Sequence, residues 1–123
     1  MSTINTTIPN RERLIFALDV PSLEEAQALI SRLGDSVEFY KLGLEVFLSG
    51  HYFELMEELK GKGKKVFADL KLFDIPATVA AAVRQLASHE VDFCTVHGND
   101  SMLKAAAGAK GNMQILAVTA LTS

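Results

Sequence analysis

Short apolar runs alternate along the chain with longer segments in which apolar residues recur at helical spacing. Continuous apolar runs of this length are typical of strands that are buried on both faces of a parallel sheet. The pattern predicts strands at Leu14–Leu18, Val37–Leu42, Lys65–Leu70, Asp92–Val96 and Gln114–Thr119. Strands that alternate with helices indicate right-handed βαβ units, and therefore an α/β fold with a parallel sheet.

Helices are predicted between these strands, at Leu23–Leu33, Tyr52–Lys60, Pro76 to about Ser88, and Ser101–Ala107. The first has the spacing of a capping box, with Ser22 before it and Glu25 three residues later, and Gly34 is suited to end it. Pro76 fits a first helical turn, where its missing N–H has no partner to lose. The segment Gly43–Gly50 is compatible with either a loop or a short helix.

Polar side chains recur at or just after the C-terminal end of every predicted strand. They are Asp19, Lys41, Asp69 with Lys71, His97, and Thr122 with Ser123. In a (β/α)8 TIM barrel the C-terminal strand ends form the face on which active sites are built. Alternation alone would also suit a doubly wound sheet, but the convergence of polar residues on one face favours the barrel.

The predicted elements do not close such a barrel, which usually takes about 250 residues. The sequence has 123 residues and supplies roughly the first five strands and four helices. We therefore expect residues 11–123 to be the N-terminal portion of a single barrel domain, preceded by a flexible tail at residues 1–10. A longer polypeptide and a split barrel both remain open.

The composition is that of an ordinary globular protein, with 49% hydrophobic residues and a net charge of −3. The acidic balance argues against a nucleic-acid partner, and no apolar run is long enough to suggest a membrane span. Cys94 is the single cysteine and lies in an apolar run, so no internal disulfide can form. This suits a protein of the reducing cytoplasm.

The densest chemistry lies in residues 67–78, which read Phe-Ala-Asp-Leu-Lys-Leu-Phe-Asp-Ile-Pro-Ala-Thr. On an extended strand Asp69 and Lys71 would point to the same side, roughly 7 Å apart along the backbone. Asp74 follows beyond the predicted strand end. The apolar neighbours would lower the local dielectric and strengthen these charge interactions. Taken alone, Asp-x-Lys at a strand end is also compatible with a purely structural ion pair.

The longer pattern Asp-x-Lys-x-x-Asp-Ile-Pro-x-Thr, over residues 69–78, resembles the signature of the orotidine 5'-phosphate (OMP) decarboxylase family. Further patches around Asp19, Lys41, His97 and Thr122 resemble the same family in the same order, so that the resemblance runs from residue 18 to residue 123. It implies conversion of OMP to UMP in pyrimidine biosynthesis, without a cofactor or metal.

The resemblance also implies roles for individual residues. Lys71 would be the proton donor, Asp69 would lie against the departing carboxylate, and Lys41 and Asp74 would complete an alternating array of charges. Asp19 and Lys41 would bind the ribose, and Thr122 and Ser123 would reach the nucleotide and its pyrimidine edge. His97 is compatible with either a structural role or a ligand contact.

A homodimer with shared sites is implied as well, in which Asp74, Ile75 and Thr78 of one subunit reach into the site of the other. The family binds the substrate phosphate from loops after its late strands, which these 123 residues do not contain. We therefore expect the isolated segment to be inactive. Two alternatives stay open: a Mg²⁺-dependent sugar-phosphate decarboxylase or aldolase on the same barrel, and a non-catalytic half-barrel.

Overall fold

The computed structural model of the protein describes residues 7–122, which contain one sheet of five parallel strands. The strands are β1 (Phe16–Ala17), β2 (Phe39–Leu42), β3 (Lys65–Leu72), β4 (Phe93–His97) and β5 (Gln114–Val118). They are hydrogen-bonded in the order β1-β2-β3-β4-β5. A doubly wound sheet reverses its order at a switch point, whereas a barrel adds each strand beside the last. The predicted fold class is confirmed: the chain supplies five consecutive strands of a (β/α)8 TIM barrel.

The helices within the described residues are α1 (Leu23–Leu33), α2 (Leu44–Leu48), α3 (Tyr52–Gly61), α4 (Pro76–Ser88) and α5 (Asp100–Ala109). The ambiguous segment is therefore a short helix, which makes five α-helices where four were predicted. The bounds of α1 and α4 are as predicted. The N-cap half of the capping box is present, since the Ser22 hydroxyl accepts from the Glu25 N–H (3.2 Å). The Glu25 carboxylate accepts from the Ser22 hydroxyl (3.0 Å) rather than from the Ser22 backbone N–H.

One face of the sheet packs against the helices and forms the hydrophobic core. Strand residues of this core include Tyr40, Leu42, Val66, Ala68, Cys94 and Val96, all fully buried. The helices contribute residues such as Ile30, Leu55 and Val83. No helix within residues 7–122 is long and apolar enough to cross a lipid bilayer.

The opposite face of the sheet is layered along the strand direction. Near the N-terminal strand ends, the ring centroid of Phe93 lies 5.4 Å from that of Phe39 and 6.1 Å from that of Phe67. Side chains alternate between the two faces of a strand, so the residues two positions later share this face. They are polar: Lys41, Asp69 and Thr95. A polar layer therefore lies above the aromatic layer, at the C-terminal edge of the sheet.

The predicted N-terminal tail falls largely on residues 1–6, which lie outside the described part of the chain. The first described element is a 3-10 turn at Asn10–Glu12. The Glu12 carboxylate lies 2.6 Å from the Lys65 Nζ at the start of β3. The flexibility of residues 1–10 and the domain boundary at residue 11 stay predictions.

Candidate active site

Asp69 and Lys71 are in direct contact at the C-terminal edge of the sheet. The Lys71 Nζ lies 3.1 Å from Asp69 Oδ1 and 3.0 Å from Oδ2, so the ammonium donates to both oxygens of one carboxylate. Both residues belong to β3, which continues to Leu72, two residues beyond its predicted end. The contact expected from their spacing is present.

The backbone that produces this contact is not a regular extended strand. Ala68 pairs with Cys94 and Leu72 pairs with Val96, so the residues from Asp69 to Lys71 lie opposite the single residue Thr95. Lys71 itself has a φ of +48°, a left-handed conformation that costs about 1–2 kcal/mol for a residue with a Cβ. Side-chain alternation along an ideal strand therefore predicted the contact correctly but not its cause. The contact forms because a bulge in β3 turns Lys71 back toward Asp69.

Thr95 of β4 joins these two residues. Its hydroxyl donates to Asp69 Oδ1 (2.8 Å) and accepts from the backbone N–H of Lys71 (2.9 Å). The Thr95 side chain is buried, with 7% of the residue exposed. One hydroxyl therefore contacts both the carboxylate and the residue that carries the ammonium.

Lys41 approaches the same carboxylate from β2, with its Nζ 3.6 Å from Asp69 Oδ2. The end of β2 just beyond it is secured by Tyr52 of α3, whose buried hydroxyl donates to the Leu42 carbonyl oxygen (2.7 Å). Burial raises the pKa of Tyr52, and the negative charge of Asp69 raises it further, so this hydroxyl stays protonated and able to donate.

The charge state of Asp69 follows from two opposed effects. The carboxyl is largely buried, and burial alone would raise its pKa. Hydrogen bonds from Lys71 and Thr95 outweigh this effect, and the charges of Lys71 and Lys41 add to them. The pKa of Asp69 is therefore lowered from its ordinary value of 3.8, and the carboxylate is ionised at neutral pH.

Asp69 is expected to make the fold sensitive to acid. A carboxyl whose pKa is lower in the folded protein stabilises the fold fully above its ordinary value of 3.8, and this contribution is lost as the pH falls through the folded pKa. The free energy of unfolding should therefore decrease more steeply below about pH 4 in the wild type than in Asp69→Asn. Urea unfolding at a series of pH values measures it, and parallel acid profiles for the two proteins would contradict the expectation.

The predicted array of four charges is only partly assembled in the described chain. Asp74 is exposed, and its Oδ1 accepts from the backbone N–H of Ile75 (2.7 Å) without an ion pair to Lys41 or Lys71. Ile75 and Thr78 are also exposed, beside the start of α4. The family resemblance assigns Asp74, Ile75 and Thr78 to the site of the other subunit, and a single chain does not test that assignment.

The other predicted contact residues, and His97, whose role the sequence left open, lie near the same edge. Asp19 follows β1, and its Oδ1 lies beside Gly43, at van der Waals distance (3.7 Å) from the position that a Cβ would take there. His97 ends β4, and its ring contacts that of Phe73 edge-on, with centroids 4.9 Å apart. Thr122 is exposed beyond β5, and Ser123 lies outside the described residues.

The apolar surroundings expected around the charges are only partly formed by residues 7–122. The Lys71 side chain is 43% exposed, whereas that of Asp69 is 10% exposed. Phe73 and Ile75, which were expected to lower the local dielectric, are themselves 67% and 65% exposed. The carboxylate of the ion pair is therefore buried, whereas the ammonium is open to solvent.

Two contributors to this site were missed in the sequence. Thr95 lies inside an apolar run. Its position, two residues after Phe93 and two before His97, could have indicated that it shares the face of the sheet that carries the polar layer. Tyr52 gave no comparable signal, because its hydroxyl meets Leu42 only after α3 packs on the sheet. Within residues 7–122 no group of three or more His, Cys, Asp or Glu side chains is placed to hold a metal ion.

The family model and the curated relatives that match this chain point to the same family. A family model described as "Orotidine 5'-phosphate decarboxylase / HUMPS family" matches residues 12–123. The curated orotidine 5'-phosphate decarboxylase of Methylococcus capsulatus (strain Bath) is 58% identical over 119 residues, which cover 97% of this chain and 49% of that protein. The protein of the same name from Xanthomonas oryzae pv. oryzae (strain PXO99A) is 56% identical and covers 100% of this chain and 51% of its own length.

A solved structure agrees with these relatives. The crystal structure of orotidine 5'-phosphate decarboxylase from Lactobacillus acidophilus superimposes with a TM-score of 0.80 at 35% identity, over 92% of this chain and 55% of that one. The chain thus spans about half the length of the curated relatives and of the solved structure that it matches.

Proposed function

This chain belongs to the orotidine 5'-phosphate decarboxylase / HUMPS family, and on that premise we propose that it carries the charged centre of an enzyme that decarboxylates OMP to UMP in pyrimidine biosynthesis. The observation that carries the proposal is the Lys71 ammonium held by both oxygens of the ionised Asp69 carboxylate. The chain covers about half the length of its relatives. The activity is therefore proposed for the protein at its native length.

The reaction explains why an ammonium is needed at this place. Loss of CO₂ leaves the electron pair of the broken carbon–carbon bond on C6 of the pyrimidine, in the plane of the ring. No adjacent π system takes up this charge directly, so the protein must stabilise it electrostatically and then supply a proton. The Lys71 Nζ does both in this proposal: it attracts the developing charge, transfers its proton to C6, and regains a proton from solvent.

Asp69 has a supporting part in the proposal. Its two contacts fix the direction of the Lys71 ammonium, and its charge balances Lys41 and Lys71 together. Lys41 and Asp19 would bind the ribose, while Ile75, Thr78, Thr122 and Ser123 would contact other parts of the nucleotide. Binding of these remote groups must contribute to the rate, since a single charge interaction is too small to account for an enzyme's whole acceleration.

The test of the function is an assay of the purified protein at its native length. OMP should be converted to UMP and CO₂ without any added metal or cofactor, as followed by the ultraviolet absorbance of the pyrimidine. Absence of turnover by protein that is folded, as judged by circular dichroism and cooperative unfolding, would refute the proposal.

Homodimers with shared sites are part of the proposal. The exposed Asp74 and the exposed apolar side chains of Phe73 and Ile75 support it, since exposed apolar residues around a site often mark an interface. In a dimer of this kind Lys71 of one subunit and Asp74 of the other complete each site.

Mixed dimers of Lys71→Met and Asp74→Asn are therefore expected to regain activity. Each variant alone should be nearly inactive, but a heterodimer has one site with both substitutions and one intact site. Random pairing of equal amounts should restore about a quarter of the wild-type activity. Co-expression with two different affinity tags allows the heterodimer to be isolated and assayed. No gain over the separate variants would argue against shared sites.

The 123-residue segment by itself is expected not to bind UMP measurably. Five strands cannot enclose the nucleotide, and the family resemblance places the phosphate-binding loops after later strands. Calorimetric titration of the segment with UMP measures this, with the protein at native length as the positive control. Saturable binding by the segment would show that the phosphate contacts are not required.

The family description also covers the HUMPS group, which keeps a second reaction class in view. A Mg²⁺-dependent sugar-phosphate enzyme would lose its activity in EDTA and would act on sugar phosphates rather than OMP. OMP turnover that survives EDTA favours the decarboxylase. A half-barrel without catalysis would turn over neither substrate, and size-exclusion chromatography would show it to be tightly assembled or aggregated.

A cytoplasmic location belongs to the same proposal. Cys94 is a free, fully buried thiol in the described structure, as a reducing compartment permits. Burial raises the pKa of this thiol to about 11, so it is expected to remain protonated and unreactive.

A further inference from the structure

We propose that Thr95 is a positioning residue for the reaction, which orients the Asp69 carboxylate and the backbone of Lys71 with a single hydroxyl. This inference rests on the proposed function, in which Lys71 acts at the substrate. Thr95 is buried beneath both residues and has no role of its own in the proton transfer.

The bulge in β3 creates the need for such a residue. Between the Ala68–Cys94 and Leu72–Val96 pairs the regular register of β3 and β4 is interrupted, so the Lys71 N–H lacks a ladder partner there. The Thr95 Oγ1 accepts from this N–H at 2.9 Å. An unpaired N–H in a partly buried position is unfavourable, so the hydroxyl stabilises the left-handed conformation of Lys71.

The Thr95 hydroxyl also donates its hydrogen to the carboxylate of Asp69. A hydroxyl can donate its hydrogen and accept through a lone pair at the same time, so Thr95 also donates to Asp69 Oδ1, at 2.8 Å. The same oxygen also accepts from the Lys71 Nζ at 3.1 Å. Rotation of the carboxylate would break both contacts, so Thr95 fixes the plane of Asp69 and with it the direction in which the Lys71 ammonium points.

The valine and serine variants of Thr95 separate this role from simple packing. Thr95→Val keeps the shape and removes the hydroxyl, whereas Thr95→Ser keeps the hydroxyl and removes a methyl group. We expect Thr95→Val to lower kcat for OMP by about 10- to 100-fold with little change in KM, since misplacement of a reacting group by about 1 Å has effects of this size. Thr95→Ser should keep most of the wild-type kcat.

Cys94→Ala is the matched control for stability. Cys94 is the neighbouring residue of β4, fully buried on the opposite face of the sheet, so its truncation loosens the core without touching Asp69 or Lys71. Its kcat should stay near that of the wild type even if its Tm falls. A Thr95→Val enzyme with wild-type kcat, or a Thr95→Ser enzyme as impaired as Thr95→Val, would overturn the inference.

A second measurement decides the inference without relying on turnover. The carboxyl of Asp69 is faced by Lys41 of β2 and Lys71 of β3 in addition to Thr95, and its charge also acts on Tyr52 of α3. Loss of one donor should raise its pKa in Thr95→Val but not in Thr95→Ser, as measured by carbon-detected NMR titration of the protein at native length. If the wild type does not decarboxylate OMP, the proposed function fails, while this titration still supports or refutes the positioning by Thr95.

Discussion

Replacement of Lys71 by methionine is expected to lower kcat/KM for OMP by about a thousandfold or more. Methionine keeps most of the aliphatic length of lysine and removes only the charge and the proton. Two unit charges 4 Å apart interact by about 4 kcal/mol at an effective dielectric of 20, and each 1.36 kcal/mol is about tenfold in rate. The carbanion develops only in the transition state, so the loss should appear mainly in kcat.

The fold should tolerate this change. Lys71 is 43% exposed, and Asp69 retains Lys41 and Thr95 as partners when the ammonium is removed. Steady-state kinetics and thermal unfolding of Lys71→Met measure the two effects separately. Lys104→Met, at an exposed position of α5, is the matched control and should behave as the wild type. Near-normal turnover in Lys71→Met would refute the role of Lys71 as proton donor.

Replacement of Asp69 by asparagine is expected to lower kcat by about 100-fold, as one preorganised polar group of an active site commonly does. The amide keeps the size of the carboxylate and can still accept from Thr95. It no longer balances the ammonium groups of Lys41 and Lys71, which lie 3.6 Å and 3.0 Å from the carboxylate in the structure. The two cations would then repel each other, and Lys71 would lose its fixed direction.

The affinity for OMP in Asp69→Asn separates two explanations of the rate loss. If Asp69 mainly positions Lys71, the variant should bind OMP about as well as the wild type. If Asp69 accelerates the reaction by repelling the substrate carboxylate, its removal should tighten OMP binding while UMP binding stays unchanged. We expect the first result. Asp35→Asn, in an exposed turn, is the control for loss of a carboxylate and should leave both affinities unchanged.

The elements that the sequence predicted well are those with strong local signals. Helix α1 has a capping residue at Ser22 and a terminating glycine at Gly34, and its observed bounds match the prediction. Helix α4 begins at Pro76, as expected for a residue that fits a first turn. Such signals act through hydrogen bonds and backbone preferences within a few residues, so they can be identified before the tertiary structure is known.

The charged centre was only partly predictable. The Asp69–Lys71 pair follows from residues two positions apart, and the structure confirms their contact. The bulge that turns Lys71 back was not predictable, because it depends on the register of β3 against β4. The contact of Thr95 with Asp69 depends on the same register, since the two residues are 26 positions apart in the chain. Asp74, which the resemblance assigns to the site of the other subunit, forms no ion pair with Lys41 or Lys71 within the described chain.

By itself, the order of apolar runs, caps and charged motifs determined the alternation of strands and helices, the barrel class and the identity of the acid–ammonium pair. These properties depend on local periodicity and on short-range spacing, which the chain carries in its own order of residues. Tertiary packing alone decided which hydroxyl bridges the pair, how far each charge is buried and which predicted residues stand apart. Those outcomes depend on contacts between β2, β3 and β4, whose relative positions are set only when the strands pair and the helices cover them.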